Sequence, residues 1–165
     1  MLEVTTTQKF KVLMVCLGNI CRSPLAEGIL KTKISLLGIN YIEVASAGTD
    51  DYHLGSSPDG RSVAIANEFN VDISNQKSRH FKVTDFDEFD LIYVMDKSNY
   101  SDVLALARNK NDKQKVKLIL NELYPKQDKE VPDPYYGGDK GFENVYKMLD
   151  KACESLLTKL ILINE

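Results

Sequence analysis

Cysteine, histidine, net charge and long apolar runs are all scarce in this chain, and each shortage closes off a class of protein. Three cysteines in 165 residues cannot close a disulfide framework, so a reducing, cytoplasmic setting is expected. No apolar stretch reaches the length of a bilayer span, and no cleavable signal pattern is recognisable, so no membrane partner is expected. The two histidines join no cysteine cluster at metal-ligand spacing; neither a metal nor any other cofactor is implied. Lys and Arg number 21 against 24 Asp and Glu, a net charge of −3, which argues against nucleic acid as the partner. Repeats and low-complexity tracts are missing as well. With 43% apolar residues the chain reads as one domain over 1–165, whose first eight residues, MLEVTTTQ, carry no periodicity and read as frayed or as a leader.

What is present alternates between two periods. FKVLMVC at 10–16 is β-rich and almost unbroken in apolar character, as in a strand buried on both faces of a parallel sheet. A helix is predicted next, with Ser23 as a candidate N-cap, Pro24 at the first helical position, and Leu25, Ile29, Leu30, Ile34 and Leu37 recurring until Gly38. Further strands are predicted at YIEVASAG (41–48), LIYVMD (91–96) and KVKLIL (115–120). Helices are predicted from Ser57-Pro58 to about Asn70, near Asp85–Phe89, after a cap at Ser98 or Asn99, and from about Gly141 onward. The last of these carries Phe142, Val145, Met148, Leu149, Leu156, Leu160 and Ile161 on one face. This alternation predicts an α/β, doubly wound three-layer fold: a four-stranded parallel sheet with helices on both faces. Ligands of such sheets bind beyond the C-terminal strand ends, where the strand order reverses.

The first strand runs straight into CLGNICRS. Six backbone N–H groups, from Leu17 through Gly18, Asn19, Ile20 and Cys21 to Arg22, can curl around a dianion at a helix N-terminus, with Cys16 at the bottom of the bowl. Positive partial charge and a nearby guanidinium favour the thiolate, the nucleophilic form of cysteine. Arg22 offers a planar fork for two phosphate oxygens, which lysine lacks. Gly18 and Asn19 suit positive φ, and the Asn19 amide can lock the loop. Ser23 is either a plain N-cap or a hydroxyl donor that steadies the sulfur. A structural role ending a core strand is the other fate open to Cys16.

A second motif, DPYYGG, lies in the longest stretch without regular pattern, 124–140. Asp133 there is a turn starter by composition. A phenolate leaving group, however, needs a proton that a cysteine already acting as nucleophile cannot supply. Tyr135 and Tyr136 can wall a slot for a flat ring, or simply pack within their loop.

CLGNICRS followed by DPYYGG, in this order, resembles the low-molecular-weight protein tyrosine phosphatase family over nearly the whole chain, which makes 1–165 a single phosphatase domain. The resemblance implies that Cys16 forms a cysteinyl-phosphate, Arg22 binds the phosphoryl group and Asp133 is the general acid. It also implies a phosphate cradle of Leu17, Gly18, Asn19, Ile20, Cys21, Arg22 and Ser23, and a substrate pocket of Ile20, Tyr52, Tyr135 and Tyr136. Ser46 resembles the serine that helps hold the loop asparagine, Asn19. Cys21 resembles the neighbour that forms a reversible disulfide with the nucleophile under peroxide. The partners implied are a phosphotyrosine-containing protein or aryl phosphate as substrate and inorganic phosphate as product. One position departs from the pattern: Gln76 stands where many members carry a histidine that joins the loop-supporting network. His53 and His80 then read as surface residues, and Cys153 as core.

Three other readings compete. An arsenate reductase of related fold needs resolving cysteines after the middle of the chain, and residues 70–100 contain none. A protein arginine phosphatase tends to carry threonine where this chain has Ile20. A non-catalytic phosphopeptide-binding module would not need the nucleophile, arginine and acid that are all present here.

Overall fold

The computed structural model of the chain describes residues 8–165, excluding the side chains of Tyr136 and Asp139. Residues 1–7, which hold most of the segment expected to fray, and the Tyr136 side chain, assigned above to the pocket, therefore lie outside the described residues.

β1 (Phe10–Cys16) is the strand around which the fold is arranged. Val12, Met14 and Cys16 point to one face and Leu13 and Val15 to the other, and both faces are covered, which is why the run carries no polar alternation. β2 (Ile42–Gly48), β3 (Leu91–Val94) and β4 (Val116–Leu118) complete a parallel sheet of order β2-β1-β3-β4. From β1 the chain first winds to β2 and then crosses to β3 on the opposite side. The winding therefore reverses at the C-terminal end of β1, and the loop after Cys16 opens into that crevice.

One layer holds α1 (Arg22–Leu36), α2 (Gly60–Glu68) and the long α6 (Gly138–Ile163). Leu25, Ile29 and Leu30 of α1 meet Val145, Leu149, Leu156 and Leu160 of α6 in one core cluster. Each such fully buried side chain stabilises the fold by ~1.5–3 kcal/mol. The other layer holds α3 (Asp85–Glu88), α4 (Lys97–Leu104) and α5 (Lys110–Lys115), with Phe81, Phe86, Phe89 and Val103 against Leu13, Val15 and Val94. The predicted three-layer α/β architecture is the one observed.

Several boundaries differ, each for a local reason. α1 begins at Arg22 with Cys21 as its N-cap residue, so Ser23 lies inside the helix and its hydroxyl is free for other work. Leu37 is 61% exposed, because the helix ends at Leu36 and Gly38 turns the chain at φ 67°. α2 is capped by Asp59 instead of Ser57, and α4 by Asp96, whose capping box with Asn99 replaces the predicted Ser98 or Asn99 cap. α5 was not predicted: KNDKQK has no apolar periodicity and is specified by the Asn109 cap. β4 is half as long as KVKLIL suggests, since Ile119 to Glu122 tighten into a 3-10 turn. The loop at 124–140 contains another 3-10 turn, Pro134–Tyr136, and α6 starts at Gly138, ahead of the expected Gly141.

Candidate active site

β1 delivers Cys16 to the C-terminal end of the sheet at 2% exposure, and the chain then doubles back over the end of β2. Thr49 N–H donates to the Cys16 carbonyl and Asp50 N–H to that of Leu17, both at 2.9 Å. Gly48 is where loop and strand come closest: a Cβ there would sit 2.7 Å from the Leu17 carbonyl oxygen. Asn19 holds φ 54°, the left-handed conformation its short amide tolerates.

That amide is the hub of a buried network. Asn19 Nδ2 donates to Ser23 Oγ at 2.8 Å and to Ser46 Oγ at 3.0 Å, while its Oδ1 accepts from Arg79 N–H at 3.0 Å. Ser23 Oγ lies 3.0 Å from Cys16 Sγ. Ser46 Oγ in turn donates to Glu27 Oε1 at 2.8 Å, and Lys31 closes the chain on Glu27 Oε2 at 2.8 Å. The expected contact from Asn19 to Ser46 is present. Gln76 takes no part in it: its amide nitrogen donates to the Pro24 carbonyl at 3.1 Å. Glu27 terminates the network instead.

Arg22 is 2% exposed and held from below, with Nη1 donating to Asp96 Oδ2 at 2.6 Å and to the Val131 carbonyl at 3.0 Å. Its Nη2 lies 3.8 Å from Asp133 Oδ2. Burial works against the Arg22 charge, yet Cys16, Asp96 and Asp133 outweigh it and raise its pKa above the ordinary arginine value. Asp133 keeps the turn role that composition assigns it, its Oδ1 accepting from Tyr135 N–H at 3.0 Å, and this leaves Oδ2 to face Arg22.

These groups share one cavity of about 260 Å³, lined by Cys16, Leu17, Gly18, Ile20, Cys21, Arg22, Asp50, Tyr52, His53, Asp133 and Tyr135. Of its two lining tyrosines, Tyr52 is 83% exposed and Tyr135 43%. All three cysteines are free. Burial, reinforced by Asp59, Cys16 and Asp133, pushes the Cys21 thiol up to about 12. Cys153 lies in α6 and is fully buried.

Sequence reasoning missed Asp96, His53, Asp50 and Glu27. Asp96 had a signal, being an acid at a strand end beside the crevice. His53 is no plain surface residue, since it lines the cavity and its ring sits 3.1 Å from where a Cβ on Gly18 would be. Among the described residues no cluster of three or more His, Cys, Asp or Glu side chains could hold a metal ion, and no helix is long and apolar enough to cross a membrane.

A parallel α/β sheet whose first strand ends on a cysteine, with an arginine closing the following loop and an aspartate arriving from a distant turn, defines a small class of proteins. The chain belongs to the family described as low molecular weight phosphotyrosine protein phosphatase, whose family model matches residues 11–162. It is thus a phosphomonoester hydrolase by family. A Synechocystis chain carrying the name low molecular weight protein-tyrosine-phosphatase is 46% identical over 151 residues, 91% of this chain and 96% of its own. Among solved structures, an Entamoeba histolytica protein tyrosine phosphatase with Hepes in the active site superposes with a TM-score of 0.88 at 38% identity, covering 95% of this chain and all of that one. An arginine phosphatase from Drosophila superposes with a TM-score of 0.85 at 31% identity, covering 92% and 98%.

Proposed function

We propose that the chain hydrolyses phosphotyrosine in proteins through a cysteinyl-phosphate on Cys16, with Arg22 as phosphoryl ligand and Asp133 as general acid. The observation that carries this reading is the convergence of Cys16, Arg22 and Asp133 on one cavity rimmed by Tyr52 and Tyr135.

The positions of the groups support the following steps. A phosphate dianion in the loop meets the N–H groups of residues 17–22 and the Arg22 fork, which spread over its equatorial oxygens and stabilise charge as the phosphoryl group moves. The Cys16 thiolate attacks phosphorus, the bond to the aryl oxygen breaks, and Asp133 gives its proton to the departing phenolate. Asp133, now a carboxylate, takes a proton from water as that water attacks the cysteinyl-phosphate. Inorganic phosphate leaves, and the returning sulfur anion accepts the Ser23 hydroxyl 3.0 Å away.

Phosphotyrosine is preferred over phosphoarginine because Ile20 and the tyrosines offer an apolar slot for a flat ring. The arsenate reductase reading lacks its extra cysteine, since Cys153 is buried in α6. The redox reading of Cys21 is supported by its place in the same cavity. Peroxide would convert the Cys16 thiolate to a sulfenic acid and Cys21 would displace its hydroxyl as water, closing a disulfide.

The test is hydrolysis of phosphotyrosyl and phosphoarginyl peptides and of aryl phosphates by wild type, Cys16→Ser and Asp133→Ala. Turnover lost in Cys16→Ser and a phosphotyrosyl preference are expected; substantial turnover by Cys16→Ser would sink the covalent mechanism and leave a binding module or another chemistry.

A further inference from the structure

Arg61 sits in the first turn of α2, where a cation opposes the helix dipole and gains nothing from it. Its side chain is 38% exposed, and an ion pair at that exposure adds little to stability. Yet Asp59 holds it with unusual completeness: Oδ1 accepts from Arg61 N–H at 2.8 Å and from Nε at 3.0 Å, and Oδ2 accepts from Nη2 at 3.0 Å. Such bidentate pairing fixes the plane of the guanidinium.

That fixed plane faces the acid-bearing loop. The guanidinium carbon lies 4.6 Å from the centre of the Phe142 ring and 5.3 Å from that of Tyr135, both within cation–π range. Its remaining nitrogen, Nη1, donates to the Tyr135 carbonyl at 3.2 Å. The N–H of the same Tyr135 holds Asp133 Oδ1, which turns Oδ2 toward Arg22. At the other end, Asp59 N–H donates to the Ile20 carbonyl of the phosphate loop at 2.8 Å. Asp59 and Arg61 therefore bridge the two halves of the site, with the loop of Ile20 on one side and the turn of Asp133 on the other.

We propose that Arg61 is a positioning residue for Asp133: it grips Tyr135 by ring and carbonyl and so sets the Asp133 carboxyl over the leaving-group side of the cradle. The proposal rests on the reading of Asp133 as general acid. Its signature is selective, since a misplaced acid harms only substrates whose leaving group needs the proton.

The experiment compares wild type, Arg61→Met, Asp133→Ala and the double variant on phenyl phosphate, a poor leaving group, and 2,4-dinitrophenyl phosphate, a good one, reading kcat/KM. Arg61→Met should lose about tenfold on phenyl phosphate, a share of the roughly 10²- to 10⁴-fold that a positioned acid supplies, and under about twofold on the dinitrophenyl ester. The phosphate inhibition constant and the rate of Cys16 alkylation by iodoacetate should stay at wild-type values, which a damaged fold would not allow. The double variant should be no slower than Asp133→Ala alone, because Arg61 has nothing left to position. Equal losses on both esters, no loss on either, or a full additional tenfold in the double variant would overturn the proposal. If Asp133→Ala itself loses equally on both esters, the general-acid reading has failed on its own, and the proposal falls with it.

Discussion

Arg22 and Asp96, 74 residues apart in sequence, meet at 2.6 Å beside the loop that follows β1. Asp96 also caps α4, its Oδ1 accepting from Asn99 N–H at 2.8 Å. A single carboxylate thus fixes the helix after β3 with one oxygen and the arginine after β1 with the other, on the two sides of the crevice where the sheet's winding reverses.

Asp96→Asn keeps a good N-cap but removes the charge facing Arg22. Its urea midpoint should stay close to wild type, since Asn and Asp cap about equally well. Its kcat/KM on an aryl phosphate should fall about tenfold, in line with ~1.5 kcal/mol for a charge-assisted hydrogen bond made neutral. Unchanged kcat/KM would mean that Arg22 is oriented without Asp96.

Substitutions at Asn19 separate backbone strain from side-chain bonding. Asn19→Ala and Asn19→Gly both lose the bonds to Ser23 and Ser46, but only alanine must also hold φ 54°. Asn19→Gly should be the more stable of the two by ~1 kcal/mol in urea unfolding, against the usual order for these residues. Both should be slower than wild type, with Ser23 no longer aimed at Cys16.

Gly48→Ala places a Cβ 2.7 Å from the Leu17 carbonyl oxygen and 3.1 Å from Asn19. The obstruction is backbone, so the loop after Cys16 itself must move. Activity should fall by roughly 10²-fold, the scale of a 1 Å misplacement in an active site, while overpacking costs ~1–3 kcal/mol in stability. A variant with wild-type kcat/KM would show that the loop tolerates the shift.

Burial pushes Cys21 and Cys153 up to about 12 from an ordinary value of 9.0. Between those values the unfolded chain releases protons that the folded protein keeps, so the stability present below pH 9 is lost as pH rises toward 12. Each thiol contributes up to about 1.4 kcal/mol per pH unit in that window. Unfolding free energy followed from pH 8 to above pH 10 should decline less steeply in Cys153→Ala than in wild type; parallel declines would count against this origin.

Much of this was legible in the sequence because the signals are local. FKVLMVC reads as a doubly buried strand because both its faces are apolar, and CLGNICRS as a loop at a helix start because Gly18, Asn19 and Pro24 carry backbone preferences of their own. Leu25, Ile29 and Leu30 follow helical spacing into the core. The helix caps were less legible, because Ser57 and Asp59, or Asp96 and Ser98, are equally good capping types two residues apart and only the tertiary path of the chain selects one.

The sequence alone determined the order of the four strands and of every helix but α5, together with the strand-end position of Cys16 and the arginine that follows it, since each depends on residue type within a short window; Asp133 joined that candidate set only through the family resemblance. Tertiary structure decided which groups meet: Asp96 under Arg22, Glu27 behind Ser46, His53 against Gly18 and Arg61 on Tyr135. It also decided which oxygen of Asp133 starts a turn and which faces Arg22. Apart from the turn at Asp133, those pairings span from 19 residues of chain, Glu27 to Ser46, up to the stretch from Arg22 to Asp133, and they exist only because parallel strands with helical crossovers bring distant segments to one end of the sheet.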